Sequence, residues 1–139
     1  MGAYNFKPQF VADIMADRKR HTIRTKRKYP DKPGSLLSLF VGMRTKKCRL
    51  LKRRRCSRVQ EIKITNNNGP GLIPRIWIDG VWLSEVEKEA LAISDGFPDF
   101  RTMMTFWNGR RPFSGDLIHW ESDADATKAR SRVLQQQGS

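Results

Sequence analysis

Lys19, Thr22 and Asp95 are residues of this 139-residue sequence whose types suit hydrolytic chemistry. A threonine hydroxyl is a weak nucleophile until a neighbour takes its proton. A lysine can take it where burial or nearby cations favour the neutral amine. Arg18, Arg20 and Arg24 supply such cations along the chain. A carboxylate at Asp95 would orient the lysine or accept a proton from a substrate amine. Together they would hydrolyse an amide, or assist attack of a 2′-hydroxyl on phosphate. His21 adds a group for acid or base work in RNA cleavage. A plainer reading stands beside this one. Lys19 is one basic residue among many, Thr22 suits an ordinary strand, and Asp95 before Gly96 can simply end a helix.

The charge distribution points to a polyanionic partner. Lys and Arg total 27 against 14 Asp and Glu, a net charge of +13. Arg18 to Arg58 holds 17 basic residues and one acid, Asp31, so this stretch carries +16 and the remainder −3. Such a local field attracts nucleic acid and gives salt-sensitive binding. Arg24 is the best phosphate contact, since a guanidinium held on a strand grips phosphate with two bonds. Lys52-Arg53-Arg54-Arg55 reads as a clamp on the nucleic-acid backbone, with Arg18, Arg20 and His21 contributing. RNA or a nucleotide is the expected partner and DNA an alternative. A membrane is not expected, because the basic stretch lacks the layout of an amphipathic helix. Trp77 and Trp82 could stack bases, although core positions suit them better.

Other chemistries find no support. Cys48 and Cys56 match no zinc spacing, and no metal or cofactor is expected. Phosphate-binding glycine loops and serine elbows are missing. The two cysteines read as buried free thiols of a reducing compartment. No run is apolar enough to span a membrane and no secretory h-region opens the sequence, so a soluble cytoplasmic protein is expected.

The elements that must position these residues alternate little, as in an α+β protein. Pro8 opens a short helix to Ala16, with Phe10, Val11 and Ile14 on one face. A basic turn, Asp17 to Arg20, leads into a strand His21–Arg24. Tyr29 to Gly34 is turn chemistry, and Leu36–Val41 a buried strand. Lys47 to Ile64 forms one long strand, or two joined at Lys52–Arg55. Asp79-Gly80 turns a hairpin between Ile76–Ile78 and Val81–Leu83. Ser84 and Glu87 form a capping box for a helix to about Ser94. Phe100 to Trp107 is a second helix, with Met103 and Met104 as core filler. Phe113–Trp120 is the last strand. The expected organisation is one domain over 1–121 and a polar, flexible tail over 122–139.

Three islands resemble the ASCH family, which is related to the PUA RNA-binding fold. The first is the short helix followed by Asp17-Arg18-Lys19-Arg20-His21-Thr22-Ile23-Arg24. The second is Lys32-Pro33-Gly34-Ser35-Leu36-Leu37. The third is Ala92-Ile93-Ser94-Asp95-Gly96-Phe97, followed by the aromatic helix and Phe113 to Trp120. The resemblance implies a small PUA-like β-barrel with two or three short helices and an RNA-related role. One branch hydrolyses N-acetylated cytidine with a lysine, a threonine and a glutamate, and another is described as ribonuclease. The lysine and threonine fall on Lys19 and Thr22, and the glutamate on Asp95, one methylene shorter. A metal-independent hydrolase acting on RNA or a nucleoside is therefore expected, with a non-enzymatic RNA-binding module as the alternative.

Overall fold

In the first strand, β1 (Gly2–Phe6), burial alternates residue by residue, so Gly2, Tyr4 and Phe6 face inward. That period of two is the mark of a strand with one covered face. The computed structural model describes residues 2–137. Its mixed α+β content agrees with the sequence. Seven strands are paired, in the order β1-β3-β4-β5-β6, with β7 hydrogen-bonded to β2 and β4. These pairings draw an open path among the described residues and not a closed ring. The chain divides into two compact units: residues up to Arg20, Asp31–Arg58 and from His119 onward form the first, and His21–Pro30 with Val59–Ile118 the second.

In the first unit, β1 lies parallel to β3 (Leu36–Val41), with Tyr4 opposite Leu39. β3 runs antiparallel to the first half of β4 (Arg49–Ile64), a single 16-residue strand. The partner of Leu39 is Lys52 and that of Phe40 is Leu50, which leaves Leu51 as the extra residue of a bulge. Tyr4, Leu37 and Leu39 are at most 1% exposed, and each stabilises the unit by about 1.5–3 kcal/mol. Trp120 closes this core edge-on to Phe6, with ring centroids 6.0 Å apart.

The expected helix from Pro8 is split. Pro8–Phe10 is a 3₁₀ turn and α1 covers only Val11–Met15, burying Phe10 and Ile14. It ends at Asp17, whose φ of 64° is left-handed, a conformation aspartate tolerates better than most residues. Asp31, expected in an open turn, is a buried acceptor that takes the Tyr4 hydroxyl at 2.5 Å. The polar stretch after Glu121 forms a helix, α4 (Asp123–Gln137), whose first amide donates to Asp17 at 3.1 Å.

The second unit contains β2 (His21–Arg24), the rest of β4, β5 (Ile76–Ile78) and β6 (Val81–Trp82). The Asp79-Gly80 hairpin is as expected. Both residues have positive φ, 46° and 90°, and Trp77 faces Trp82 across it. The capping box also forms. Ser84 accepts from the Glu87 amide, and Glu87 from the Ser84 amide, at the start of α2 (Glu85–Ser94). A second cap was not foreseen: Asp99 accepts from the Thr102 amide at 2.7 Å and starts α3 (Phe100–Phe106). Met103 is fully buried, and Trp107 packs on Phe113 at 4.7 Å between centroids. Phe113 begins β7 (Phe113–Trp120).

Candidate functional site

His21 and Asp95 are brought together in the second unit. His21 opens β2 and Asp95 caps the C-terminus of α2. Nδ1 of His21 is 3.1 Å from Oδ1 of Asp95, and both side chains are less than a tenth exposed. Nε2 of the same ring lies 2.9 Å from Oγ of Ser94. The Ser94 hydroxyl donates to the Leu91 carbonyl at 2.9 Å. The Ser94 hydroxyl is thus within reach of both the ring and that carbonyl, and the direction of its bond to Nε2 follows the ring's tautomer. Nδ1 therefore faces a carboxylate and Nε2 a hydroxyl. Histidine held this way between a carboxylate and a hydroxyl can shuttle protons.

Thr22 and Arg24, two residues apart on β2, also meet. Arg24 Nε donates to the Thr22 hydroxyl at 2.9 Å. Thr22 is 5% exposed, and Arg24 is half-buried. This arginine therefore spends one donor on its own strand, and its role as a strand-borne phosphate grip is narrower than the sequence suggested.

Lys19 belongs to the first unit and is 3% exposed. Its ammonium stands over the rings of Phe10, at 5.0 Å, and Phe6, at 5.9 Å. A buried ammonium over aromatic faces is stabilised by their quadrupoles. Phe6 and Phe10 were visible in the sequence, but nothing in their spacing tied them to Lys19. Arg18 pairs with Asp13 at 2.8 Å on an open surface, where such a pair contributes little. Arg20 is exposed.

The stretch Lys52 to Arg55 does not act as four equal cations. Lys52 is 8% exposed and donates to Asp123 at 2.7 Å, and Arg54 reaches the same carboxylate at 2.9 Å. Strand alternation turns Arg53 and Arg55 outward instead. These two, with Arg54 and with Arg130 from α4, line a groove of about 610 Å³ in the first unit. The only acid in its lining is Glu121, whose carboxylate accepts from the Arg55 amide at 3.1 Å. α4, in the stretch whose polarity predicts a flexible tail, supplies one wall.

The hydrogen bond from Lys52 holds the Asp123 carboxyl below its usual range, against the opposing effect of burial and with help from Arg54. A carboxyl lowered in the folded state adds stability above its ordinary pKa and loses it as pH falls through the lowered value. Acidification below about pH 4 is therefore expected to loosen the start of α4. Amide exchange at Ala126 and Thr127 would record this. An Asp123→Asn variant, already lacking the charge, should show no such acid-dependent step; an unchanged step would disprove the link.

Two further expectations need correction. Cys56 is buried, and burial pushes its thiol pKa up, but Cys48 is exposed. The alternation that buries residues of β4 begins only after Cys48. Trp77 and Trp82 are not core residues. Lys63 lies 4.7 Å over the Trp77 ring and Arg75 3.9 Å over that of Trp82, which is 46% exposed. Sequence reasoning also missed Lys88, which is 2% exposed and donates to the Pro74 carbonyl at 3.1 Å.

Among the described residues no three His, Cys, Asp or Glu side chains gather as a metal-ligand set, and no helix is long and apolar enough to cross a membrane. No family model, curated protein or solved structure matches this chain.

Proposed function

We propose that this protein is an RNA- or nucleoside-directed binding protein of the ASCH, PUA-like type, which engages phosphates through the arginine groove of its first unit. The observation that carries the reading is the gathering of Arg53, Arg55 and Arg130 around one groove with a single acid in its lining, beside Arg54, which is paired with Asp123. Guanidinium groups in this arrangement can bind successive phosphates bidentately. A PUA-like barrel and a cytoplasmic setting are parts of the same proposal.

A salt titration with single-stranded RNA, structured RNA and DNA of matched length tests it. Affinity for RNA should fall linearly on logarithmic axes, by about 0.7 in slope for each phosphate neutralised on a single strand. Equal affinity for RNA and DNA would remove the RNA preference. No binding at low salt would end the proposal.

A second reading, metal-independent hydrolysis, is favoured by the approach of His21 to Asp95. In this reading His21 moves the proton and Thr22 and Asp95 act on the substrate. Lys19 is included on the family resemblance. The protein, without added metal, would be incubated with structured RNA, single-stranded RNA and N-acetylcytidine, beside His21→Gln and Lys19→Ala variants shown by circular dichroism to be folded. Turnover lost in a folded variant supports an enzyme. Intact substrates throughout leave the protein a binding module.

A further inference from the structure

The second unit contains a separate cavity of about 620 Å³ that none of the chemistry above uses. Its floor is apolar. Phe100, Met104 and Pro74 are buried beneath it, and Leu72 and Ile73 stand at its lip, 77% and 40% exposed. Its polar lining is confined to two arginines, Arg101 and Arg111, two carboxamides, Asn67 and Asn108, and the Thr105 hydroxyl. No carboxylate lines it. Behind it the Lys88 ammonium lies 4.8 Å over the Phe100 ring and is paired with Glu85 at 2.8 Å.

Two of these polar groups hold each other in place. Arg111 donates to the Asn67 side-chain oxygen at 2.8 Å and, more weakly, to the Thr65 carbonyl. The lip is also constrained, because Gly71 and Leu72 both take left-handed φ, 71° and 59°. Leucine rarely adopts that conformation, and here it keeps a large apolar side chain in solvent at the mouth of an apolar cavity. Non-glycine residues in this region gather at ligand-contacting loops.

We infer that this cavity is a binding site for a nucleoside monophosphate. An apolar floor suits the face of a base, carboxamides suit its hydrogen-bonding edge, and arginines suit a terminal phosphate. The volume lies within the range of small-ligand pockets. Two arginines in a lining that holds no carboxylate favour an anion over a neutral aromatic molecule. The same chemistry is presented by a free mononucleotide and by the phosphorylated end of an RNA. This inference does not rest on the arginine groove, which uses other residues.

The test is calorimetric titration of the full chain with adenosine and cytidine monophosphates, their nucleosides, and inorganic phosphate. The monophosphates should bind at least about tenfold more tightly than nucleoside or phosphate alone, since each of those fills half of the site. Leu72→Asp and Arg101→Glu should each weaken that binding by about tenfold or more. Both residues are exposed, so neither change touches the core. Lys46→Glu, an exposed charge that lines neither the groove nor the cavity, should leave it unaltered. Inorganic phosphate binding as tightly as the nucleotide, or full affinity in both cavity variants, would overturn the inference. A trinucleotide with the same terminal phosphate then separates the sources. Tighter binding than the mononucleotide assigns the site to RNA ends, weaker binding to the free nucleotide, and either order keeps the site.

Discussion

Arg53→Glu combined with Arg130→Glu is expected to weaken RNA binding by about 100-fold at about 0.1 M salt. Both residues line the groove, one from β4 and one from α4. Each reversal removes a charge-assisted bond to phosphate and leaves a carboxylate facing the backbone it should attract. A cost of about 1.4 kcal/mol per site gives the estimate. The salt slope for single-stranded RNA should fall by about 1.4, as two phosphate contacts disappear. Lys52→Met provides the contrast. Lys52 is spent on Asp123, so its loss should lower stability and leave affinity and slope nearly intact. Fluorescence anisotropy across a salt series reads all three proteins. Equal losses for Lys52 and the outward arginines would mean that net charge, and not the groove, governs binding.

Gly115→Ala should lower the melting temperature by roughly 10 °C, through a cost of about 3 kcal/mol. A Cβ at Gly115 would overlap the Arg24 carbonyl oxygen and meet the Phe113 ring. The ring can turn aside. The carbonyl is backbone of β2, the strand carrying His21, Thr22 and Arg24, and must be displaced with it. The substitution is thus expected to disturb the His21–Asp95 approach as well, which imidazole chemical shifts would register. A melting temperature within about 2 °C of the parent protein's would show that β2 and β7 can separate at little cost.

Where local chemistry decides the outcome, the sequence predicts the fold well. Asp79-Gly80 can hardly do other than turn, and Ser84 with Glu87 satisfies the first amides of α2 from within four residues. The alternation of Ile62 and Ile64 likewise anticipates their burial. Where distant residues decide, the reading fails. The tail's own hydropathy is low, and on that alone it reads as unstructured. Its helix starts with an amide bonded to Asp17 and an aspartate paired with Lys52, partners 106 and 71 residues away. The same distance effect hid the burial of Lys19 and divided Lys52–Arg55 into residues already paired and residues facing outward. At the candidate site, sequence brought His21 and Asp95 into view separately. Their meeting depends on where α2 ends beside β2, which no local pattern records.

The division into two units has a consequence for how the chain can be cut and how it must fold. The first unit is assembled from three stretches of sequence and the second from two, and the chain passes between them four times. No single truncation releases either as a contiguous fragment. β4 belongs to each, with Arg49–Arg58 in the first and Val59–Ile64 in the second. Pairings such as Tyr4 with Leu39 must close long loops before they contribute, which raises contact order and slows folding. Limited proteolysis should accordingly yield intact chain or small peptides, with no stable half between them.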